Sequence, residues 1–195
     1  MAAERARPDH LRERDVVLRG EHLTLRPLTE DDWPYLAPWN GDAEVLRLTE
    51  GDEREPYSLE ELQAIYRSIS QQAYCFLAED RREAVGDAWL QAMNLPRILD
   101  RTPGLDLRRI DLAFARHAWG RGYGREAVTL LLDFAFWSEP ADAVLAVDVW
   151  DFNERSRRLF TSLGFEPYGS VEQPDAAPGR TRDDFVMPRE RWIGG

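Results

Sequence analysis

The sequence predicts one α/β domain, on three observations. Its 195 residues are the usual length of a single domain with a substantial core. Its apolar fraction of 43% is that of an ordinary globular protein. Apolar residues alternate along some short segments and recur at helical spacing along others, so strands and helices are expected to follow one another. We expect residues 1–20 to be a flexible lead-in and residues 21–195 to be the domain.

The first half of the chain contains two helix-start patterns and one hairpin pattern. Residues 29–32 offer a polar helix start, with Pro34 in the first turn. Ser58 and Glu61 have the spacing of a capping box. In chain order the expected elements are a strand over residues 23–28, a helix after residues 29–32, a helix over 58–70, a hairpin of 73–80 and 83–92, and a loop over 95–107.

The second half contains the most regular succession of strand and helix. Residues 108–115 are an expected strand in which Ile110, Leu112 and Phe114 share one face and Asp111 lies on the other. The elements expected after it are a glycine-rich loop, a helix that ends before Pro140, a strand over 143–151, a helix over 153–164 that Gly164 ends, a strand over 165–172, a polar excursion over 173–184 and a short last strand over 185–188.

Charge and composition narrow the choice of partners. The formal net charge of −11 opposes binding to nucleic acid and favours a cationic ligand. No apolar stretch reaches the ~20 residues that span a bilayer, and the charged N-terminus lacks the apolar centre of a signal peptide. We therefore expect a cytoplasmic protein that binds neither nucleic acid nor a membrane. Cys75 is the single cysteine and the histidines are scattered, so no metal site is expected.

The segment "WGRGYGREA", residues 119–127, places three glycines between an expected strand and an expected helix. Glycines let the backbone approach a ligand closely, and the free N–H groups at a helix N-terminus attract a phosphate. Arg121 and Arg125 can add charge-assisted hydrogen bonds. The chain has no lysine for a phosphate-binding P-loop, and Arg125 stands where a dinucleotide-binding fingerprint needs its third glycine.

Three motifs in chain order resemble segments of the GNAT superfamily of N-acetyltransferases. Trp119 to Gly124 fall on the six positions of its acyl-CoA pyrophosphate loop, Gln/Arg-x-x-Gly-x-Gly/Ala, with Trp119 in place of the usual Gln or Arg. The opening "LTLRPLTEDDW" and the segment "NERSRRLFTSLGFE" are similar to two further segments of the superfamily. The resemblance covers roughly residues 23–171 and implies a GNAT fold, a mixed and mostly antiparallel central sheet of about six to seven strands flanked by about four helices.

The resemblance also implies acetyl-CoA as co-substrate, with direct transfer of its acetyl group to an amine in a ternary complex. It implies a homodimer as well, since GNAT proteins are often dimers. Phe160 departs from the family pattern, because many members place there the tyrosine that protonates the departing CoA thiolate. The residues expected to contact acetyl-CoA are Phe114, Ala115, Trp119, Gly120, Arg121, Gly122, Tyr123, Gly124, Arg125, Asn153, Ser156 and Phe160.

Two carboxylates in expected strands are the candidate catalytic residues. Asp111 precedes the glycine loop, and Asp148 lies in the otherwise apolar segment "AVLAVDVW". A protonated alkylamine, with a pKa of about 10, cannot attack a thioester, so a base in this region would serve the reaction. The alternative for each carboxylate is that it faces solvent or holds an arginine such as Arg109.

Three interpretations of the function stay open on the residues alone. Aspartates in those two strands, with the opening "LRPLTEDDW", resemble the aminoglycoside 6'-N-acetyltransferases and imply a small cationic amine as acceptor, with antibiotic resistance as a consequence. The same opening, with Asn153 and Ser156 in Asn-x-x-Ser spacing, resembles the N-terminal acetyltransferases of ribosomal proteins. Phe160 supports a third class, an acyl-CoA-binding module without catalysis.

Several other side chains have both a functional and a structural interpretation. Asn153 either contacts the pantetheine arm or caps its helix. Trp33, Tyr35 and Trp39 either line a substrate site or pack in the core, which is the commoner case for aromatic residues at helical spacing. Cys75, in the apolar segment "YCFLA", is expected to be an inert packing residue.

Overall fold

One sheet of eight strands organises the part of the chain that the structure describes. The computed structural model describes residues 8–51, 55–173 and 179–194. The strands are β1 (Leu18–Arg19), β2 (Leu23–Pro27), β3 (Ala73–Asp80), β4 (Glu83–Ala92), β5 (Leu107–Phe114), β6 (Ala143–Trp150), β7 (Glu166–Glu172) and β8 (Thr181–Pro188). Their order in the sheet is β1-β2-β3-β4-β5-β6-β8-β7.

Seven α-helices flank this sheet within the same described ranges. They are α1 (Trp33–Asn40), α2 (Ala43–Thr49), α3 (Leu59–Ser70), α4 (Pro96–Leu99), α5 (Tyr123–Asp133), α6 (Glu154–Ser162) and α7 (Arg189–Ile193). A π-helical turn, Phe134–Ser138, continues α5, and short 3-10 turns precede α1 and α5. The capping box expected at the start of α3 is confirmed, since the Ser58 hydroxyl accepts from the Glu61 amide and the Ser58 amide donates to the Glu61 carboxylate.

The central pair of strands, β5 and β6, is parallel, whereas the other pairs in this sheet are antiparallel. Helix α5 makes the crossover between them, as a parallel connection requires. The two strands pair from Leu107 opposite Ala143 to Ile110 opposite Ala146, and not beyond. The register of β6 against β8 also breaks between Ala146 and Val149. The sheet therefore has an opening between the ends of β5 and β6.

Apolar layers cover both faces of the sheet. On one face, Ile110 of β5 packs in a cluster with Val128 of α5 and Phe160 of α6. On the other face, Leu36 of α1 and Leu62 of α3 pack in a second cluster. This alternation confirms the expected faces of β5, and it leaves Asp111 on the side of α1 and α3.

The structure confirms the predicted α/β fold class, with a mixed and mostly antiparallel sheet. It has more strands than the six to seven expected, because the two-residue β1 pairs with β2. The polar excursion expected over residues 173–184 is also shorter, since β8 already begins at Thr181 and pairs with β7. Residues 174–178 of that excursion lie outside the described residues.

Three short helices, α2, α4 and α7, were missed by the sequence analysis. Helix α2 has only seven residues, too few for a clear helical period, although Asp42 caps it by accepting from the amides of Glu44 and Val45. Helix α4 is a single turn inside the segment 95–107 that was expected to be a loop. Helix α2 lines the opening between β5 and β6, and Arg97 of α4 reaches Asp148 beside it.

Residues 8–20, part of the stretch expected to be a flexible lead-in, pack along the domain. Leu11 is buried and its amide donates to the Glu30 carboxylate at 2.6 Å. The Arg14 guanidinium donates to the carbonyl of Ala73 and lies 4.6 Å from the centre of the Tyr74 ring. These contacts are long-range and were not visible in a charged N-terminal segment. Residues 1–7 lie outside the described residues.

Candidate functional site

The glycine loop before α5 presents free backbone N–H groups to a cavity. Gly122 is the N-cap of α5 and has φ +86°, and Gly120 has φ +76°. These are left-handed values that glycine adopts without strain. A Cβ placed on either glycine would meet no atom within 4 Å, so both backbones face open space. The first amides of α5 have no acceptor within the helix, which suits them to an anionic group.

A first cavity of about 230 Å³ extends from this loop to α2 and α6. Most of the residues that were expected to contact acetyl-CoA line it. These are Phe114, Trp119, Gly120, Gly122, Tyr123, Gly124, Arg125, Asn153 and Ser156. One local motif and the start of α6 thus meet at a single cavity.

The remaining three expected contacts lie elsewhere. Ala115 is buried in the core on the side of α1 and α3. Arg121 is directed to Asp80, with 3.5 Å between Nη2 and Oδ2, and its guanidinium lies 5.0 Å from the centre of the Tyr123 ring. Phe160 lines a second cavity instead of the first.

Trp119, the unusual residue of the loop, has a structural explanation. Its indole Nε1 donates to the carbonyl of Phe114 at 2.8 Å, which ties the loop to the end of β5. The guanidinium of Arg155 lies 4.0 Å from the centre of its ring. The loop is fixed at its other end by Tyr123, whose hydroxyl donates to Asp80 at 2.5 Å. Burial, and then this hydrogen bond, raise the pKa of Tyr123.

Two arginines supply positive charge to the first cavity. Arg125, in the first turn of α5, donates to the Ser162 hydroxyl at 2.6 Å and remains exposed. Arg155, on α6, also lines the cavity and was missed by the sequence analysis. Its place two residues after the helix-capping Asn153 was the available signal. A cavity with free amides and two guanidiniums suits a phosphate-bearing ligand.

Asn153 caps α6, and this confirms the structural interpretation of the residue. Its Oδ1 accepts from the amide of Ser156 at 3.1 Å, and its Nδ2 donates to the carbonyl of Leu48 at 3.0 Å. Asn153 therefore joins α6 to the end of α2. Because Asn153, Ser156 and Leu48 line both the first and the second cavity, this junction is also the wall where the two cavities meet.

A second cavity of about 360 Å³ lies at the opening between β5 and β6. It adjoins the first cavity along residues Leu48, Thr49, Leu112, Ala113, Asn153 and Ser156. Its charged lining residues are Glu50, Asp87, Arg109, Asp111, Asp148 and Arg182. Carboxylates thus outnumber guanidiniums, and the cavity favours a cation.

Asp111 lies in this second cavity with a proton affinity far above that of an ordinary aspartate. It is half-buried, with 39% of its side chain accessible. Burial raises the pKa of Asp111 to about 7, although Arg109, at 3.7 Å, acts in the opposite direction. Glu50 and Asp87 add to the rise. A carboxylate with such a pKa exchanges protons near neutral pH, as a general base requires.

Asp148 is held by other residues rather than left free in the cavity. The Arg97 guanidinium donates to Asp148 at 3.1 Å and to Asp184 at 2.8 Å. The Asp148 amide donates to the same Asp184 carboxylate at 3.0 Å. This ion-paired cluster keeps Asp148 in the left-handed region, at φ +57°, where β6 bulges. The structural alternative given for Asp148 therefore holds, with Arg97 as the arginine, although Asp148 still lines the cavity.

Asp87 was missed by the sequence analysis and is buried beside Asp111. It is 2% exposed and accepts from the Trp39 indole N–H at 2.7 Å and the Tyr66 hydroxyl at 2.7 Å. Burial raises the pKa of Asp87 to about 6, and these two hydrogen bonds partly offset the rise. An aspartate inside the apolar run "AVGDAWL" was the signal that could have found it.

Three residues that line the second cavity carry a hydrogen-bond donor with no acceptor among the described residues. The donors are the Trp89 indole Nε1, the Arg109 Nε and the Arg182 Nε, all buried. Buried donors are nearly always paired. These nitrogens are sealed from solvent, so each can bond a ligand oxygen only after its side chain turns towards the cavity. Phe160, in the wall of the same cavity, offers no polar atom and packs with its ring centre 5.2 Å from that of Phe165.

For Trp33, Trp39 and Cys75 the structural interpretation holds. Trp33 and Trp39, on α1, are buried in the core, whereas Tyr35 is 51% exposed. Burial raises the pKa of the Cys75 thiol to about 12, which makes it unreactive at neutral pH. In the described parts of the chain, no three His, Cys, Asp or Glu side chains group as metal ligands. A helix long and apolar enough to cross a bilayer is likewise absent from those parts.

The comparisons with known proteins agree with this geometry. Residues 22–166 match the family model described as "Acetyltransferase (GNAT) domain". An aminoglycoside N(6')-acetyltransferase type 1 from Klebsiella pneumoniae is 26% identical over 175 residues, with 82% of each chain covered.

Solved structures share the fold at lower identity. A spermidine N-acetyltransferase from Vibrio cholerae in complex with CoA and spermine has a TM-score of 0.72 and 19% identity, over 89% of this chain and 99% of the other. The aminoglycoside acetyltransferase AAC(6')-Ib in complex with coenzyme A has a TM-score of 0.69 and 21% identity, over 88% and 98%.

Proposed function

Because the chain belongs to the GNAT acetyltransferase family and is an N-acetyltransferase, we propose that it acetylates a primary amine of a small, polycationic amino sugar of the aminoglycoside type. Acetyl-CoA is the proposed acetyl donor. The observation that carries the proposal is the adjoining pair of cavities, one with phosphate-binding features and one rich in carboxylates. Because the two cavities share lining residues, an amine in the second cavity can lie beside an acetyl group held in the first cavity.

The residues of the first cavity fit acetyl-CoA. The open space at Gly120 and Gly122 admits a pyrophosphate against the amides that begin α5. Arg125 and Arg155 offer guanidiniums for phosphate oxygens. Acetyl-CoA supplies the activated acetyl thioester when bound. The opening between β5 and β6, which begins after Ile110, is the proposed path of its arm towards the second cavity.

Asp111 is the proposed base. At pH 7 an alkylammonium with a pKa of about 10 must lose a proton at a cost of about 4 kcal/mol before its nitrogen can attack. Asp111 takes this proton, because its raised pKa makes it a stronger base than a solvated aspartate. The N–C bond then forms while the C–S bond breaks. Turnover is expected to fall as the pH drops below about 7 and Asp111 becomes protonated.

Phe160 leaves no phenol to protonate the departing thiolate from that position. A thiol with a reference pKa of about 8.5 is a tolerable anionic leaving group near neutral pH. We therefore propose that the CoA sulfur departs as the thiolate and takes its proton from water. Asp148, fixed by Arg97, has the role of binding a second ammonium of the acceptor rather than of moving a proton.

An amino sugar fits the second cavity better than a linear polyamine. The carboxylates suit ammonium groups, which both kinds of acceptor carry. The unpaired Trp89 and Arg182 donors need oxygen acceptors, which amino sugars carry and polyamines lack. The names of the relatives include both acceptors, aminoglycoside and spermidine, and the unpaired donors are the observation that favours the amino sugar.

The test is release of free CoA thiol from acetyl-CoA with a panel of acceptors. The panel holds ribostamycin, spermine and peptides with free N-terminal Ala or Ser. We expect turnover with the aminoglycoside and at least tenfold lower kcat/KM with spermine, whose chain cannot satisfy the unpaired donors. Preference for a peptide would support the N-terminal acetyltransferase alternative, and preference for spermine would contradict the amino-sugar assignment.

A further inference from the structure

Asp87 is a buried carboxylate with neutral hydrogen-bond partners. Trp39, from α1, donates to Oδ1, and Tyr66, from α3, donates to Oδ2. Within residues 8–51, 55–173 and 179–194, no arginine or histidine forms an ion pair with it. A buried charge of this kind is costly, and neutral asparagine could accept the same indole N–H. The hydrogen bonds alone therefore do not explain why the residue is ionisable.

The position of Asp87 in the sheet suggests what the charge does. Strands β4 and β5 pair with Asp87 opposite Ala113 and Trp89 opposite Asp111. Asp87 and Asp111 are thus diagonal neighbours on the same face of two adjacent strands, and both line the second cavity. Diagonal neighbours in an antiparallel pair lie about 7–8 Å apart. At that distance the charge of one carboxylate affects the ionisation of the other.

The two carboxylates differ in the way the protein surrounds them. Asp87 is fixed on both oxygens and is almost sealed from the cavity, whereas Asp111 keeps 39% of its side chain accessible. The donors of Asp87 stabilise its ionised form. Asp111 instead faces Arg109 at 3.7 Å and is open to an incoming ammonium. With a pKa of about 6 against about 7, Asp87 is mostly ionised at neutral pH, where Asp111 exchanges a proton.

We propose that Asp87 is a positioning residue for the acetyl transfer, a fixed negative charge beside Asp111 that keeps Asp111 basic enough to take the proton of the acceptor amine. This inference rests on the proposed function, in which Asp111 is the base. Asp87 itself touches neither the acceptor nor acetyl-CoA in this scheme. It acts through the electrostatic potential at Asp111.

Other groups around the cavity act on Asp111 as well. Arg109 lowers the pKa of Asp111 and so opposes the effect of Asp87. Glu50, at the exposed end of α2, raises the pKa of Asp111, and it does so by more than Asp87. Solvent and salt screen the exposed Glu50, whereas they reach the buried Asp87 much less. The titratable or charged groups that face this region are Glu50 after α2, Tyr57 and Tyr66 near and on α3, Cys75 on β3, Asp87 on β4, Arg109 and Asp111 on β5, Asp148 on β6 and Arg182 on β8.

The test is the titration of the Asp111 carboxyl by NMR in protein labelled with carbon-13 at the aspartate carboxyl, with assignment by Asp111→Asn. In Asp87→Asn we expect the Asp111 midpoint to fall by about 0.5 to 1.5 pH units, the range for one charge 7 Å away at an effective dielectric constant between water and protein. An unchanged midpoint in Asp87→Asn overturns the inference. The measurement detects a charge effect, which a packing role would not produce.

Tyr66→Phe is the second variant, since it keeps the carboxylate and removes one of its donors. Without that hydroxyl, Asp87 is less readily ionised, so the Asp111 midpoint should also fall, by less than in Asp87→Asn. Glu50→Gln is the matched control for an exposed charge. Its shift should disappear at 0.5 M salt, and the Asp87→Asn shift should persist. Loss of both shifts in salt would overturn the fixed-charge interpretation.

The titration needs neither acetyl-CoA nor an acceptor, and this separates the two proposals. If the titration midpoint of Asp111 is the same in Asp87→Asn as in the unaltered protein, only the proposed effect of Asp87 on Asp111 is contradicted. Absence of thiol release by the unaltered protein with every acceptor counts against the proposed function and leaves the titration result standing. Where turnover is present, the acid limb of the kcat/KM profile should move with the Asp111 midpoint, and a stationary limb would refute the role of Asp87 in transfer.

Discussion

The two cavities are built in opposite ways, although they share a wall. The first takes most of its lining from one continuous stretch, Leu112 to Arg125, together with parts of α2 and α6, and its features are backbone amides and space left by glycines. The second takes its charged side chains from β4, β5, β6, β8 and the end of α2. The proposed donor site therefore depends on backbone shape, whereas the proposed acceptor site depends on charged side chains.

This difference predicts that single substitutions separate the two halves of the reaction. Replacing a glycine of the first cavity should weaken CoA binding and leave the proton transfer to Asp111 intact. A change of charge in the second should slow transfer and leave CoA binding intact.

The largest effect is expected from Asp111→Asn. It removes the proposed base, so kcat should fall by about 10²–10⁴-fold, the usual contribution of general-base catalysis. The dissociation constant of CoA, measured by calorimetry, should stay within about twofold. Asp106→Asn is the matched control, because Asp106 also pairs with an arginine two residues away but lies outside both cavities. Full turnover by Asp111→Asn between pH 6 and 9 would remove Asp111 as the base.

The second effect concerns Gly122. Alanine at φ +86° adds backbone strain and a methyl group in open space beside the α5 amides, so CoA should bind at least about tenfold more weakly. Gly104 has the same φ of +86° and the same open surroundings, but it lies in the loop before β5 and away from the first cavity. Gly104→Ala should cost similar stability and leave CoA affinity unchanged. Equal losses of affinity in both variants would reduce the Gly122 result to a general strain effect.

The smallest effect is expected from Trp89→Phe, which keeps an aromatic ring and removes the unpaired indole N–H. KM for an aminoglycoside acceptor should rise by about 3–10-fold, the value of one hydrogen bond, while KM for spermine should not change. The control is Trp150→Phe, because Trp150 also has a buried and unpaired Nε1 but lines neither cavity. An equal rise for spermine and the aminoglycoside would mean that Trp89 supports packing only.

The contrast between the cavities also explains what the sequence could and could not predict. The glycine loop and its strand and helix were predictable, because the motif lies within one short segment and is recognisable from the spacing of its glycines. Asp111 was predictable for a similar reason, as a carboxylate on one face of a clear strand. Asp87 carried a similar signal, but its closeness to Asp111 was not predictable, because only the register of β4 against β5 brings the two together.

The role of Asp148 shows the same limit. The sequence identified a carboxylate in an apolar strand, but its partner Arg97 lies 51 residues away in a segment expected to be a loop. Helix α4, which carries Arg97, has a single turn and no periodic signal. Local propensity therefore predicted the sheet and the main helices, whereas the pairing of charges in the second cavity depends on tertiary contacts.

The most direct test of this account is a crystal structure of the protein with CoA and an aminoglycoside bound together. The account predicts the pyrophosphate on the amides of residues 120–125, the sulfur at the shared wall beside Ser156, and an acceptor amine within hydrogen-bond distance of Asp111. A CoA molecule bound outside the first cavity, or an acceptor whose amines contact neither Asp111 nor Asp148, would contradict it.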